Sequence, residues 1–231
     1  MTSTKRKVCT RCEYPLSTCL CVQIQTIVNP IHILVLQDPS EVKHHKNTVR
    51  LLKLALNNIT VQIADSTLQP ISMINNDNAV VLYPSADAFC MEDLIENLPK
   101  TSNELIESKC NDCDVGTKAD RFLSPSLSKT IINFGNIKHL ILLDGSWSKT
   151  HKIWSTQTWL QGIPQMTFAE LPDSQYRIRK ANRKNSLSTL EACAHVLKKL
   201  YKVNVTPLYN LLNALQDDWD AHKKAASSNN S

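Results

Sequence analysis

Three groups of residues in this chain have types and spacings that can do chemistry. The first is Cys9, Cys12, Cys19 and Cys21, in the run C-T-R-C-E-Y-P-L-S-T-C-L-C. Four thiolates this close suit tetrahedral Zn²⁺, and four protein ligands leave no open position, so the ion is structural. The competing reading is free thiols or a disulfide-bonded knot. The polar, basic start of the chain lacks the apolar stretch of a secretory signal, which disfavours oxidation. Lys5, Arg6, Lys7 and Arg11 flank the cysteines with positive charge, which suits RNA.

The second group is Leu143-Asp144-Gly145-Ser146-Trp147. Asp144 follows an apolar run, so its carboxylate is partly desolvated and can act as a base or bind an amine. Gly145 allows a sharp turn and close approach to a ligand. Ser146 offers a hydroxyl, and Trp147 a flat face for a base. An ordinary helix cap with a packed tryptophan has the same sequence, and the motif alone does not choose. The third group is Tyr176 and the basic residues from Arg177 to Lys184, with Glu191 in the helix that follows. Charge beside an aromatic suits phosphate or carboxylate recognition; a solvated basic face has the same composition. Glu191 reads as a helix-start acid, an ammonium ligand, or both. His44-His45 precede Asn47, Thr48 and Arg50; adjacent imidazoles rarely share one ion, so they read as solvated or RNA-facing. Cys110-x-x-Cys113 is half of a metal set with no further pair to complete it.

These residues need a scaffold, and the hydrophobic pattern supplies one. Ile31–Leu36, Val61–Ile63, Ala79–Tyr83, His139–Leu143 and Gln165–Phe168 read as strands. Between and after them, Asn47–Leu56, Met91–Leu98, a helix capped by Ser148 and running to Gln157, Ser188–Tyr201 and a last helix opened by Pro207 have helical spacing. Ala225 to Ser231 are expected to fray. The alternation predicts an α/β fold with a mostly parallel sheet, in which ligands collect outside the carboxyl ends of strands. Tyr83-Pro84-Ser85, Asp144–Trp147 and the loop from Leu171 to Leu187 all fall at such ends. Residues 1–25 read as a zinc-binding knuckle and residues 26–226 as the main domain, with 100–137 as an insertion.

The chain has 231 residues, 42 % of them hydrophobic, enough for one sizeable core. No apolar run reaches the roughly 18–20 residues of a membrane span. With only four glycines there is no G-x-G-x-x-G, and no P-loop motif occurs. A net charge of +5 favours a polyanionic partner. Reduced cysteines and the lack of a targeting signal predict a cytoplasmic protein with no membrane partner and no evident obligate protein partner.

Taken in order, Cys9-x-x-Cys12-x-x-Pro15-x-x-x-Cys19-x-Cys21, Leu143–Trp147 and Tyr176–Lys180 continuing to Leu187-Ser188-Thr189-Leu190-Glu191-Ala192 resemble the DTW-domain family of tRNA-uridine aminocarboxypropyltransferases. The resemblance covers most of residues 9–220. Ser146 stands where the family has Thr, which keeps the hydroxyl. Ala181-Asn182 stand where a Pro often follows the Arg-Lys pair. The resemblance implies a SPOUT-like fold with a C-terminal knot that binds S-adenosylmethionine. It implies transfer of the 3-amino-3-carboxypropyl group to N3 of a tRNA uridine, releasing 5′-methylthioadenosine. Asp144 would then take the N3 proton. Arg177 or Arg179 would clamp the donor carboxylate and Glu191 its ammonium. Tyr83, Pro84, Ser85, Leu187, Ser188 and Thr189 would contact the adenosine, beside Leu143, Gly145, Ser146 and Trp147. The rival readings are a SPOUT-type RNA methyltransferase and a zinc-knuckle protein that binds RNA without catalysis.

Overall fold

Ile33, Leu34, Val35 and Leu36 are fully buried, as a near-continuous apolar run between two covered faces requires. They form the middle of β1 (His32–Gln37), which pairs in parallel with β2 (Ile59–Ile63) on one side and β5 (His139–Asp144) on the other. β3 (Ala79–Leu82) flanks β5, β6 (Gln165–Thr167) flanks β3, and the two-residue β4 (Phe89–Cys90) flanks β6. The strand order is β2-β1-β5-β3-β6-β4, and every strand pairing among the described residues is parallel. The computed structural model describes residues 7–65, 68–96, 136–178 and 186–228. Lys5, Arg6, Cys110, Cys113, Arg179 and most of the 100–137 insertion lie outside them.

Strand residues alternate between two apolar layers, as a pleat of period two dictates. Ile33, Val35, Leu140 and Leu142 face α1 (Thr48–Ala55), α4 (Thr189–Tyr201) and α5 (Thr206–Ser228). Leu34, Leu36 and Ile141 face Ile153 of α3 (Trp147–Thr156) and the 3-10 turn that follows it. The short α2 (Met91–Glu96) follows β4 directly. Cys12, Tyr14 and Leu20 of the N-terminal segment bury into the same layer as α1, α4 and α5.

Two helix starts are fastened by side chains. Asn47 caps α1 by accepting from the backbone N–H groups of Val49 and Arg50. Ser188 and Glu191 form a capping box at α4.

The structure departs from the sequence expectations at several ends. β1 includes Gln37 and β5 includes Asp144, because these two residues pair with each other in register. Ser146, not Ser148, occupies the cap position of α3. β4 has two residues and no periodicity to announce it. α5 starts at Thr206 and stays helical to Ser228, past the expected fraying point. The described residues, which omit 179–185, do not establish the expected C-terminal knot.

Candidate active site

In a parallel sheet the strand carboxyl ends open a crevice where the strand order reverses. Here β2 follows β1 outward on one side, while β3 and β6 build on the other side of β5. A cavity of about 220 Å³ lies at the ends of β3, β5 and β6. Its floor is apolar, with Leu82, Leu142, Leu143 and Met166. Tyr83 and Pro84 continue from β3, Gly145 and Trp147 from β5, and Thr167, Phe168 and Leu171 from β6. Ser186, Leu187, Ser188 and Thr189 close one side as the chain enters α4. Apolar walls crossed by backbone polar groups suit a flat, partly polar small molecule.

Asp144 stands at the border of this cavity rather than in its lining. Its Oδ2 accepts from Gln37 Nε2 at 2.7 Å and its Oδ1 from Thr189 Oγ1 at 2.5 Å. The register explains both contacts. Gln37 is its cross-strand partner on β1, and Thr189 is the first residue of α4. Helix N-termini favour negative charge, so α4 begins where a carboxylate is stabilised. Thr189 itself lines the cavity, so Asp144 reaches the cavity wall through that hydroxyl.

Gly145 does not adopt a positive φ. Its need for glycine is steric: a Cβ there would lie 2.7 Å from Lys149 Cβ. The missing side chain lets the first turn of α3 pack against the strand end. Trp147, 48 % exposed, presents its ring at the cavity mouth from that turn. Ser146 is exposed and its hydroxyl makes no capping bond. Lys149 reaches across to Glu41 at 2.7 Å. That contact raises its pKa above the usual lysine value, with Asp38 and Asp144 adding to the effect.

The other expected site residues divide between the cavity and contacts elsewhere. Tyr83 lines the cavity while its ring stacks on Trp154, 4.7 Å between centroids. Ser85 donates its hydroxyl to Gln165 Oε1. Glu191 is 1 % exposed, outside the cavity lining, and both its oxygens are engaged. Oε1 accepts from Gln175 N at 2.6 Å, Oε2 from Ser188 N at 2.8 Å, and the Ser174 and Ser188 hydroxyls add to the set.

Arg177 pairs with Asp217 at 2.5 Å and Asp220 at 3.2 Å on α5. Its backbone N–H donates to the buried Gln216. Tyr176 is buried and donates to the Lys46 carbonyl, while Lys46 Nζ donates to the Ile178 carbonyl. The described half of the basic loop is therefore a strap between α1, α4 and α5. Neither a clamp in the cavity nor a bare solvated face describes it.

The residues that sequence reasoning missed are Gln37, Thr150 and the β6 end, Met166 to Phe168. A polar residue ending an apolar strand was the available signal for Gln37, the same signal that singled out Asp144. The strand-end rule, applied to β6 as to β3 and β5, points to Thr167 and Phe168.

The four N-terminal cysteines come together as one set able to hold a metal ion, with all Sγ atoms within 4.8 Å of one another. Cys9 and Cys21 are 3.6 Å apart at sulfur, as are Cys12 and Cys19. Zn–S bonds of about 2.3 Å place tetrahedral sulfurs about 3.8 Å apart, so the donor set fits Zn²⁺. Backbone N–H groups of Cys12 and Arg11 lower the Cys9 pKa to about 6, while burial and the neighbouring thiols push Cys21 up to about 12, so Cys9 is the thiol of the set that loses its proton first. The turn closes through Glu13 at φ 58°, a conformation usually left to glycine.

The DTW domain family model matches residues 6–219. The mouse protein tRNA-uridine aminocarboxypropyltransferase 2 is 26 % identical over 209 residues, covering 87 % of this chain. Xenopus tropicalis tRNA-uridine aminocarboxypropyltransferase 1 is 23 % identical over 213 residues, again 87 % of this chain. A Drosophila melanogaster tRNA-uridine aminocarboxypropyltransferase 2 is 22 % identical over 223 residues. The matches span 58 % of the mouse protein, 71 % of the Xenopus protein and 74 % of the Drosophila protein. No solved structure matches the chain. No helix among the described residues is long and apolar enough to cross a membrane.

Proposed function

Because the chain belongs to the DTW domain family, we propose that it transfers the 3-amino-3-carboxypropyl group of S-adenosylmethionine to N3 of a tRNA uridine. One observation carries this reading: a cavity at the ends of β3, β5 and β6, bordered by a carboxylate fixed between Gln37 and Thr189. The names of the relatives support transfer of an aminocarboxypropyl group to a tRNA uridine, and the cavity is consistent with a small-molecule donor.

The adenosine fits between the apolar floor and the backbone of 83–84 and 186–189, with Trp147 as a stacking face. The sulfonium of the donor is already activated, so the protein mainly orients the chain with its γ-carbon toward N3. The C–S bond breaks as the N3–C bond forms, and the thioether leaves as 5′-methylthioadenosine. The N3 proton goes to Asp144, whose carboxylate is kept charged by its two donors. Arg177 and Glu191 act one step back, holding the strap over α4 and α5 in place. Arg179 remains the candidate for the donor carboxylate. A SPOUT-like C-terminal knot and a cytoplasmic location belong to this reading. Zn²⁺ held by Cys9, Cys12, Cys19 and Cys21 is structural, since four thiolates leave no open position.

Incubation of the full chain with S-adenosylmethionine and tRNA, followed by nucleoside mass spectrometry, tests the proposal. The expected products are aminocarboxypropyluridine and 5′-methylthioadenosine. Methylated nucleoside with S-adenosylhomocysteine would replace the reading with methyl transfer. RNA binding without donor binding would make the protein a non-enzymatic RNA binder.

A further inference from the structure

The amide of Gln37 ends a chain of hydrogen bonds whose direction is fixed from its far end. At the start of α1 the backbone N–H groups of Val49 and Arg50 donate to Asn47 Oδ1 at 2.9 and 3.3 Å. Asn47 Nδ2 donates the other way, to the carbonyls of Glu41 and Val42. The Asn47 amide therefore has one orientation. Gln37 Nε2 lies 3.3 Å from that same Oδ1 and 2.7 Å from Asp144 Oδ2. Both neighbours are acceptors, so only N–H can face them; the flipped amide would set oxygen against oxygen twice. Gln37 is 4 % exposed and Asn47 9 %, which leaves little room for water to substitute.

We infer that Gln37 is a positioning residue for the transfer, holding the Asp144 carboxylate charged and in one orientation, and linking it through Asn47 to the positive end of α1. The inference rests on the proposed role of Asp144 as proton acceptor. A carboxylate that takes a proton must first be without one, and burial at a strand end favours the protonated form. Donors on both oxygens oppose that burial, Gln37 on one and Thr189 on the other. A carboxylate oxygen carries two lone pairs, and one of the two Asp144 oxygens receives the N3 proton. Among the described residues, the charged groups near this point include Asp38 on the loop after β1 and Lys149 on α3, with Glu41 bound to Lys149. α4 contributes the Thr189 hydroxyl, and α1 the Asn47 cap. Substitution at Gln37 leaves all of these in place.

Gln37→Met keeps the length and removes the donor. Gln37→Glu puts a carboxyl where the donor was. Two measurements on the full chain read the result: the titration midpoint of Asp144 by ¹³C NMR, and the pH profile of kcat/KM for transfer. The midpoint is expected to rise by about one pH unit in Gln37→Met, the value of one hydrogen bond to a charged group. It should rise further in Gln37→Glu, where two carboxyls share a proton. The acid limb of the rate profile should move with it, while donor KM stays within about twofold. Asn47→Ser still caps α1 but is too short to fix the Gln37 amide; a smaller rise of the same sign is expected, which keeps the test open if a Gln37 variant does not fold. An unmoved midpoint in the variants that fold overturns the inference. So does a uniform loss of rate with no shift of the acid limb, which marks Gln37 as merely structural. The NMR ordering does not depend on turnover. If it holds while the wild type transfers nothing, the link to Asp144 stands and the assigned reaction falls.

Discussion

Glu191→Gln is a near-isosteric change that the structure expects to be costly. Each carboxylate oxygen of Glu191 accepts a backbone N–H that cannot reverse: Gln175 N on Oε1 at 2.6 Å and Ser188 N on Oε2 at 2.8 Å. A glutamine has only one oxygen. Its NH₂ group must therefore face one of the two N–H groups, leaving a donor without its partner in a site where Glu191 is 1 % exposed. The Ser174 and Ser188 hydroxyls can turn to accept, so they do not add to the cost. Losing one charge-assisted bond and stranding one donor costs about 2–3 kcal/mol. For a chain of this size each kcal/mol lowers Tm by about 2–4 °C, so a fall of roughly 4–12 °C is expected. Thermal unfolding followed by circular dichroism measures it, and calorimetry with S-adenosylmethionine measures donor affinity on the same samples. Because Glu191 lies outside the cavity lining, donor affinity in the folded variant should drop far less than stability. A variant that melts with the wild type but no longer binds donor would refute this reasoning and return Glu191 to the role of ammonium ligand.

Gly145→Ala should lower stability by about 1–3 kcal/mol and weaken donor binding, since the new Cβ meets Lys149 Cβ at 2.7 Å and pushes α3 with Trp147 from the cavity mouth; an unchanged melt with unchanged donor affinity would show that α3 shifts freely. Cys12→Ser should lose bound zinc by metal analysis and also melt earlier, because fully buried Cys12 packs in the same core as Tyr14 and Leu20; full metal content would remove the four-cysteine site. His32 and His139 meet at Nδ1, 3.1 Å apart, with His32 Nε2 on Thr60, and burial lowers the pKa of both rings. Below the ordinary imidazole value of 6.5 the unfolded chain therefore binds more protons than the folded one. The stability from this pair is full above that pH and declines as pH falls toward the lowered values. Tm should drop with acidification in the wild type and less steeply in His32→Gln; parallel slopes in the two proteins would count against the pair.

Much of the scaffold was legible because its signals are local. Ile31 to Leu36 and His139 to Leu143 are apolar runs of strand length, and a run of that kind stays a strand in any sheet that covers both faces. Ser188 followed by Glu191 reads as a helix start with an acid in its first turn, and the structure begins α4 there and closes the pair as a capping box. The cavity could be placed in part, since Tyr83, Gly145, Trp147 and Thr189 all follow strand ends or begin a helix there. β4 escaped because two residues carry no period. Arg177 and Glu191 were legible as charges but not as contacts, since their partners lie on distant segments: Asp217 and Asp220 for one, Ser174 and Gln175 for the other.

The chemistry present can be read along the chain: four thiolates spaced to share an ion, a carboxylate at the end of an apolar strand, an alternation of strands and helices that makes a parallel α/β frame, and no membrane-length apolar run. Which of those groups meet is a matter of packing. Gln37 and Asp144 are more than one hundred residues apart, and a parallel register sets them side by side. Arg177 pairs with two aspartates on α5 and is not among the residues that line the cavity. The difference is one of range. Strand and helix preferences are set by neighbours a few residues away, whereas a hydrogen bond or an ion pair is decided by whichever groups packing brings within about 3 Å.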